Sequence, residues 1–148
     1  MFSEPYTVLV CGSRGWTDEG AISRELEKLA PGSIVIHGGA RGADSIAGEL
    51  ARERGLEVVV YPADWRAHGK GAGPIRNQQM LDEGAPEIVW AFDLGTPGTA
   101  DMVRRAREAQ RLGKVAVVAV FSPGSRARPT AVLWSPSSET RSSSETRS

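Results

Sequence analysis

A chain of 148 residues suits one domain with a tail, and its 18 basic and 18 acidic residues give a formal net charge of zero, so no overall basic field favours nucleic acid. The single cysteine excludes an internal disulfide and a thiolate metal cage. His37 and His68 lack the spacing of a zinc motif, so no metal site is expected.

Met1–Pro5 has neither a basic stretch nor an apolar one, and the longest apolar runs, such as Val115–Phe121, are strand-sized. A cytoplasmic protein without a membrane segment is expected. Thr7–Cys11 is β-branched and apolar and predicts a first strand ending at Gly12, with Cys11 as a small core residue. In Asp18–Ala30, Ile22, Leu26 and Leu29 recur at helical spacing before a stop at Pro31-Gly32. Ser33–His37 predicts the second strand, and Ala43–Arg54 a helix closed by Gly55. Glu57–Tyr61 is the third strand. The following stretch, with His68, reads as a solvated loop, and Pro74–Glu83 as the next helix. Ile88–Phe92 is a fourth strand with Trp90 in the core. Thr99–Leu112 is a helix capped by Thr99, and Lys114–Val120 is a fifth strand. Strands alternating with helices predict an α/β fold: a single Rossmann-like three-layer domain over 1–134, with a mainly parallel sheet in the order 3-2-1-4-5. Thr130–Trp134 offers an extra C-terminal edge strand or a docking segment. Ser-Ser-Glu-Thr-Arg-Ser stands at 137–142 and again at 143–148, so 135–148 is expected to be a disordered tail.

Glycines and polar residues crowd behind the strands rather than before them. They are Gly12-Ser13-Arg14-Gly15-Trp16, then Gly38-Gly39-Ala40-Arg41-Gly42-Ala43-Asp44, then Asp64-Trp65 with Gly69-Lys70-Gly71-Ala72-Gly73, then Asp93 with Gly95–Asp101. Open α/β sheets bind ligands outside the carboxyl ends of their strands, so these loops converge on one region. Glycine turns and the helix starts at Ala43 and Thr99 present free N–H groups to an anion such as phosphate. Arg14, Arg41, Lys70 and Arg76 add positive charge. Trp16 and Trp65 offer flat faces to a base. Asp18, Asp44, Asp93 and Asp101 suit ribose hydroxyls or proton transfer. Asp44 and Asp101 also sit where a carboxylate stabilises a helix start by about 0.3–1 kcal/mol with no function at all.

These loops resemble the SLOG superfamily, in particular its YspA-like branch. The resemblance runs from about Thr7 to Val120 and rests on four ordered motifs: Val10–Asp18, Ile36–Asp44, Pro62–Trp65 with Gly69–Asn77, and Ala91-Phe92 with Gly98–Asp101. It implies a Rossmann-like fold and a nucleotide-type ligand. Two related families point to different activities. Arg76 with Met80 is similar to a pattern of the lonely-guy phosphoribohydrolases, whereas Met102 stands at the position of their glutamate and offers no carboxylate. Gly39–Asp44 is similar to a stretch of the single-stranded-DNA-binding DNA-processing protein A family.

The leading expectation is therefore a sensor or binding module. Its ligand-binding residues are Gly12, Ser13, Arg14, Trp16, Asp18, Gly38, Gly39, Arg41, Gly42, Asp64, Trp65, Lys70, Arg76, Asn77, Gly98 and Thr99. The alternative is a hydrolase of a nucleotide N-glycosidic bond with Asp44 or Asp101 as the catalytic carboxylate. A second alternative is single-stranded DNA processing or binding. The expected partner is a nucleotide-type small molecule bound by a homo-oligomer, nucleic acid being the less favoured partner. No cofactor is expected.

Overall fold

The computed structural model describes residues 2–123. Five parallel strands, β1 (Thr7–Gly12), β2 (Ile34–His37), β3 (Glu57–Val60), β4 (Ile88–Phe92) and β5 (Val117–Phe121), form one sheet in the order β3-β2-β1-β4-β5. Between them run the helices α1 (Glu19–Leu26), α2 (Ala43–Glu53), α3 (Trp65–His68), α4 (Ala72–Gly84) and α5 (Pro97–Arg111), with a 3-10 turn at Gly69–Gly71. This is the expected Rossmann-like α/β fold with the expected strand order.

Side chains alternate across each strand, so the central strands feed two separate cores. Val8 and Val10 of β1, with Ile88, Trp90 and Phe92 of β4, pack under α1 and α2 against Ile22, Leu26, Ala47 and Ala51. Leu9, Cys11, Val89 and Ala91 face the other way, toward Met80 and Leu81 of α4 and Met102 and Ala106 of α5. Burial on both faces explains why these strands read as unbroken apolar runs. The register Val10↔Trp90 and Gly12↔Phe92 brings the ends of β1 and β4 level at one edge of the sheet. The order reverses at β1, which has β2 on one side and β4 on the other, and this opens the crevice between the loops.

Several boundaries differ from the sequence reading. Asp18 is the N-cap of α1 rather than its first residue, and α1 ends at Leu26, where Lys28 N and Leu29 N turn back to Glu25 O and Leu26 O. Helix α5 begins at Pro97. Proline has no N–H to lose at a first position, so the cap moves to Thr96 and Thr99 falls inside the first turn. The stretch after β3 is not an open loop: Asp64 Oδ1 accepts Ala67 N at 3.0 Å and closes the short helix α3, in which His68 is exposed. Strand β5 starts at Val117, later than the expected Lys114. No helix among the described residues is long and apolar enough to cross a membrane. The expected edge strand at Thr130–Trp134 and the repeat tail at 135–148 lie outside the described residues.

Candidate functional site

The loops after β1, β3 and β4, with the start of α2, enclose a cavity of about 510 Å³, ordinary for a small-molecule site. Gly12 at the end of β1 and Arg14 in the loop after it line the cavity, with Asp44 from α2, and Trp65 and Lys70 from the segment after β3. Helix α4 contributes Arg76, Asn77 and Met80, and the start of α5 contributes Gly98, Thr99, Asp101 and Met102.

Asp44 is the organising residue. Although it is only 4% exposed, its Oδ2 accepts Gly38 N at 2.9 Å and Ala40 N at 3.4 Å, so the carboxylate folds the end of β2 back onto the first turn of α2. Burial raises its pKa to about 6 against the opposing pull of those two amides and of Arg76 and Arg14. Gly42 makes this turn possible. Its φ is +78°, a region that side chains rarely adopt, and the carbonyls of Ser13 and Arg14 press on the place of its missing Cβ.

Arg76 crosses the cavity floor. Its Nη1 donates to Gly38 O at 2.5 Å and to Tyr61 O at 3.3 Å, and its Nε donates to Asn77 Oδ1 at 3.1 Å. A Cβ on Gly38 would lie 2.6 Å from the Arg76 Cζ, so only glycine admits the guanidinium there. Burial lowers the Arg76 pKa, Asp44 opposes that shift, and Arg14 adds to it. Above, the Arg14 guanidinium lies 6.0 Å from the centre of the Trp65 ring. Trp65 is 50% exposed, so its ring has area open to a ligand. Gly98 and Thr99, in the first turn of α5, line the same space, and N–H groups at such positions have no partners inside the helix.

Asp101 is tied down. Asn77 Nδ2 donates to its Oδ2 at 3.0 Å, Arg105 Nε to the same oxygen at 2.8 Å, and Arg104 Nη2 to Oδ1 at 2.6 Å. Partial burial opposes the charge, but the bonds from Arg105, Asn77 and Arg104 outweigh it and hold the carboxyl below its ordinary value. A carboxylate so occupied is a joint between α4 and α5, poorly placed to take up a proton.

Other expected residues serve the frame. Trp16 presents no face to a base. It is 3% exposed, packs edge-on against Phe92 at 5.4 Å, and donates its indole N–H to Asp18 O at 2.8 Å. The reason is the turn Trp16 N to Ser13 O, which swings the ring under α1 rather than toward the cavity. Asp18 caps α1 through Ala21 N, and Asp64 caps α3. Ser13 is buried, with its Oγ 2.8 Å from Thr96 Oγ1 and accepting Leu94 N at 2.8 Å, so it clasps the first loop to the fourth. Arg41 is exposed and stands outside the cavity lining, as does Gly39, which donates to His37 Nδ1 at 2.9 Å. Asp93 accepts Gly95 N and braces its own loop.

Cys11 of β1, Met80 of α4 and Met102 of α5 give the cavity a soft apolar lining, which the sequence pattern did not bring together. Burial raises the Cys11 thiol well above its ordinary pKa, Asp44 and Asp93 raise it further, and Arg76 opposes them, so its surroundings disfavour the thiolate. The grip of Arg104 and Arg105 on Asp101 was also missed, though the spacings of three and four residues on one helix signal it.

A family model described as "YspA, cpYpsA-related SLOG family" matches residues 6–68. The chain is 43% identical over 112 residues to the Gene 61 protein of Mycobacterium phage D29, a match covering 69% of this chain and 89% of that protein. Among solved structures, DNA processing protein A from Streptococcus pneumoniae superposes with a TM-score of 0.59 at 20% identity, over 82% of this chain and 52% of the other. The chain thus spans about half of that protein, and the likeness is one of fold.

Proposed function

The chain belongs to the YspA, cpYpsA-related SLOG family, and from that premise we propose that it binds a nucleotide or nucleotide-derived phosphate ligand at the C-terminal ends of its strands, as a sensor or binding module. The observation that carries this reading is the make-up of one cavity. Arg14, Lys70 and Arg76 stand beside the open first turn of α5, while Trp65 and the Met80–Met102 floor offer apolar area. Cations and free amides suit phosphate, and flat apolar surface suits a base. Of the two carboxylates lining this space, Asp101 already accepts three side-chain donors, two of them arginines, which favours binding over turnover. Calorimetry against AMP, ADP-ribose, NAD and a single-stranded oligonucleotide tests the reading. Saturable binding of a small nucleotide is expected, and no binding at millimolar ligand removes it.

One observation favours a second reading, hydrolysis of an N-glycosidic bond. Asp44 is a buried carboxyl in the cavity lining, and burial raises its pKa to about 6, toward the range of general acid–base groups. Release of free base from nucleoside monophosphates, abolished in Asp44→Asn, is its signature. The proposed setting is a cytoplasmic homo-oligomer, for which size-exclusion chromatography with light scattering gives the subunit count.

A further inference from the structure

We infer that Asp44 receives the hydroxyl groups of a ribose, so that the cavity selects ribonucleotides over their deoxy counterparts. This rests on the nucleotide reading above and adds the sugar it requires. The inference follows from which hydrogen-bond acceptors are left. A cavity rich in donors offers few places for a sugar hydroxyl to donate. Asp101 already takes three donors. Thr96 and Thr99 pair their hydroxyls with each other at 3.1 Å, and Thr96 pairs again with Ser13. Asp18, Asp64 and Asp93 accept backbone amides of their own loops and stand outside the lining.

Asp44 differs. Both of its backbone donors, Gly38 N and Ala40 N, bind Oδ2, and among the described residues Oδ1 has no hydrogen-bond partner. That oxygen is not sealed in the protein, because His37 Nε2 is the only fully buried side-chain nitrogen or oxygen without a partner among the described residues. Asp44 therefore presents one free carboxylate oxygen, with lone pairs for two hydroxyls, on the cavity wall. Oδ2 is held in place by the loop, so Oδ1 is fixed in direction before any ligand arrives.

The test compares AMP with 2′-deoxy-AMP and 3′-deoxy-AMP by calorimetry on the full chain. AMP is expected to bind about 10- to 100-fold more tightly than at least one deoxy form, the range of a hydrogen bond to a charged group. In Asp44→Asn the amide oxygen is expected to keep the Gly38 and Ala40 donors and turn its NH₂ to the cavity, where it can make only a neutral bond to a hydroxyl, so the preference is expected to fall to a few-fold at most. Equal affinity of all three ligands for the native chain, or a preference that survives undiminished in a folded Asp44→Asn, overturns the assignment and leaves nucleotide binding standing. Binding by none of AMP, ADP-ribose and NAD at millimolar concentration overturns both. Carbodiimide labelling of the native chain, read by mass spectrometry, needs no variant. AMP is expected to shield Asp44 more than the weaker deoxy form does, and labelling indifferent to AMP overturns the assignment.

Discussion

Asp44 Oδ2 accepts the amide of Gly38 at 2.9 Å, and this contact joins the end of β2 to the first turn of α2 across the mouth of the cavity. The same oxygen holds Ala40 N, so removing the side chain strands two amides in a largely buried loop. At pH 4, below the range in which Asp44 ionises in the folded chain, Asp44→Ala is expected to cost about 1–3 kcal/mol in urea denaturation, the usual penalty for orphaned buried donors. Asp44→Asn keeps an acceptor and should cost less. Equal losses in the two variants would show that the carboxylate, not the acceptor oxygen, holds the loop.

The two tryptophans of the expected site part company by burial. Trp16 is core, so Trp16→Ala is expected to destabilise by about 3–5 kcal/mol. Trp65 lies on a short helix with no buried residue, and Trp65→Ala should leave stability within about 0.5 kcal/mol. It should instead weaken nucleotide binding, by about tenfold if a base stacks there. Urea denaturation and calorimetry on both variants separate the roles, and a Trp65→Ala protein with native affinity would remove Trp65 from the site.

The sequence made the sheet legible because burial on both faces leaves a simple mark, an apolar β-branched run that stops at glycine. It also showed which ends of the strands carry polar residues. What it hid was direction. Trp16 and Arg14 are two residues apart, yet a turn onto Ser13 O sends one into the core and leaves the other at the cavity. Arg41, embedded in glycines, looked like a ligand residue, but those glycines serve the Gly42 turn and the clasp to the first loop. Cap roles absorbed Asp18 and Asp64, since an aspartate before a helix reads alike whether it holds a ligand or its own backbone.

Asp101 gathers Asn77 from α4 and Arg104 and Arg105 from its own helix, and Arg105 also reaches Gln78 at 3.0 Å. The network spans the α4–α5 contact. Asp101→Asn weakens three charge-assisted bonds, two of them to arginine, and is expected to cost about 1–2 kcal/mol in thermal or urea unfolding. Any turnover the protein has should keep its pH profile, because a residue serving as a joint does not set the proton inventory. A displaced pH profile with unchanged stability would make Asp101 the acid or base.

Ala85 ends α4 in the left-handed region at φ +45°, the one non-glycine residue with positive φ among those described. It is exposed and donates its amide to Leu81 O at 3.2 Å, a C-terminal geometry that glycine adopts without a Cβ penalty. Relief of that penalty exceeds the added chain entropy of glycine in the unfolded state, so Ala85→Gly is expected to stabilise by about 0.5–1 kcal/mol. A lower melting temperature for the variant would mean that the Ala85 methyl makes a contact worth more than its strain.

Two buried groups give stability a pH dependence of opposite signs. Burial raises Asp44 from 3.8 to about 6, so the folded chain holds that proton more tightly, and the stability it contributes is lost as pH rises from about 4 through about 6. His37 is 5% exposed, with Nδ1 accepting Gly39 N. Burial first, then Arg52 and Arg76, lower it from 6.5 to about 4, so its contribution is full above 6.5 and is lost as pH falls through about 4. Each effect is worth about 3 kcal/mol at most, and over the shared window the two nearly cancel. Asp44→Asn removes one and leaves the other. Its stability relative to the native chain is therefore expected to climb by up to about 3 kcal/mol between pH 4 and 6, measured by urea denaturation at fixed ionic strength. Parallel pH profiles for the two proteins would mean that Asp44 titrates as an ordinary surface carboxylate.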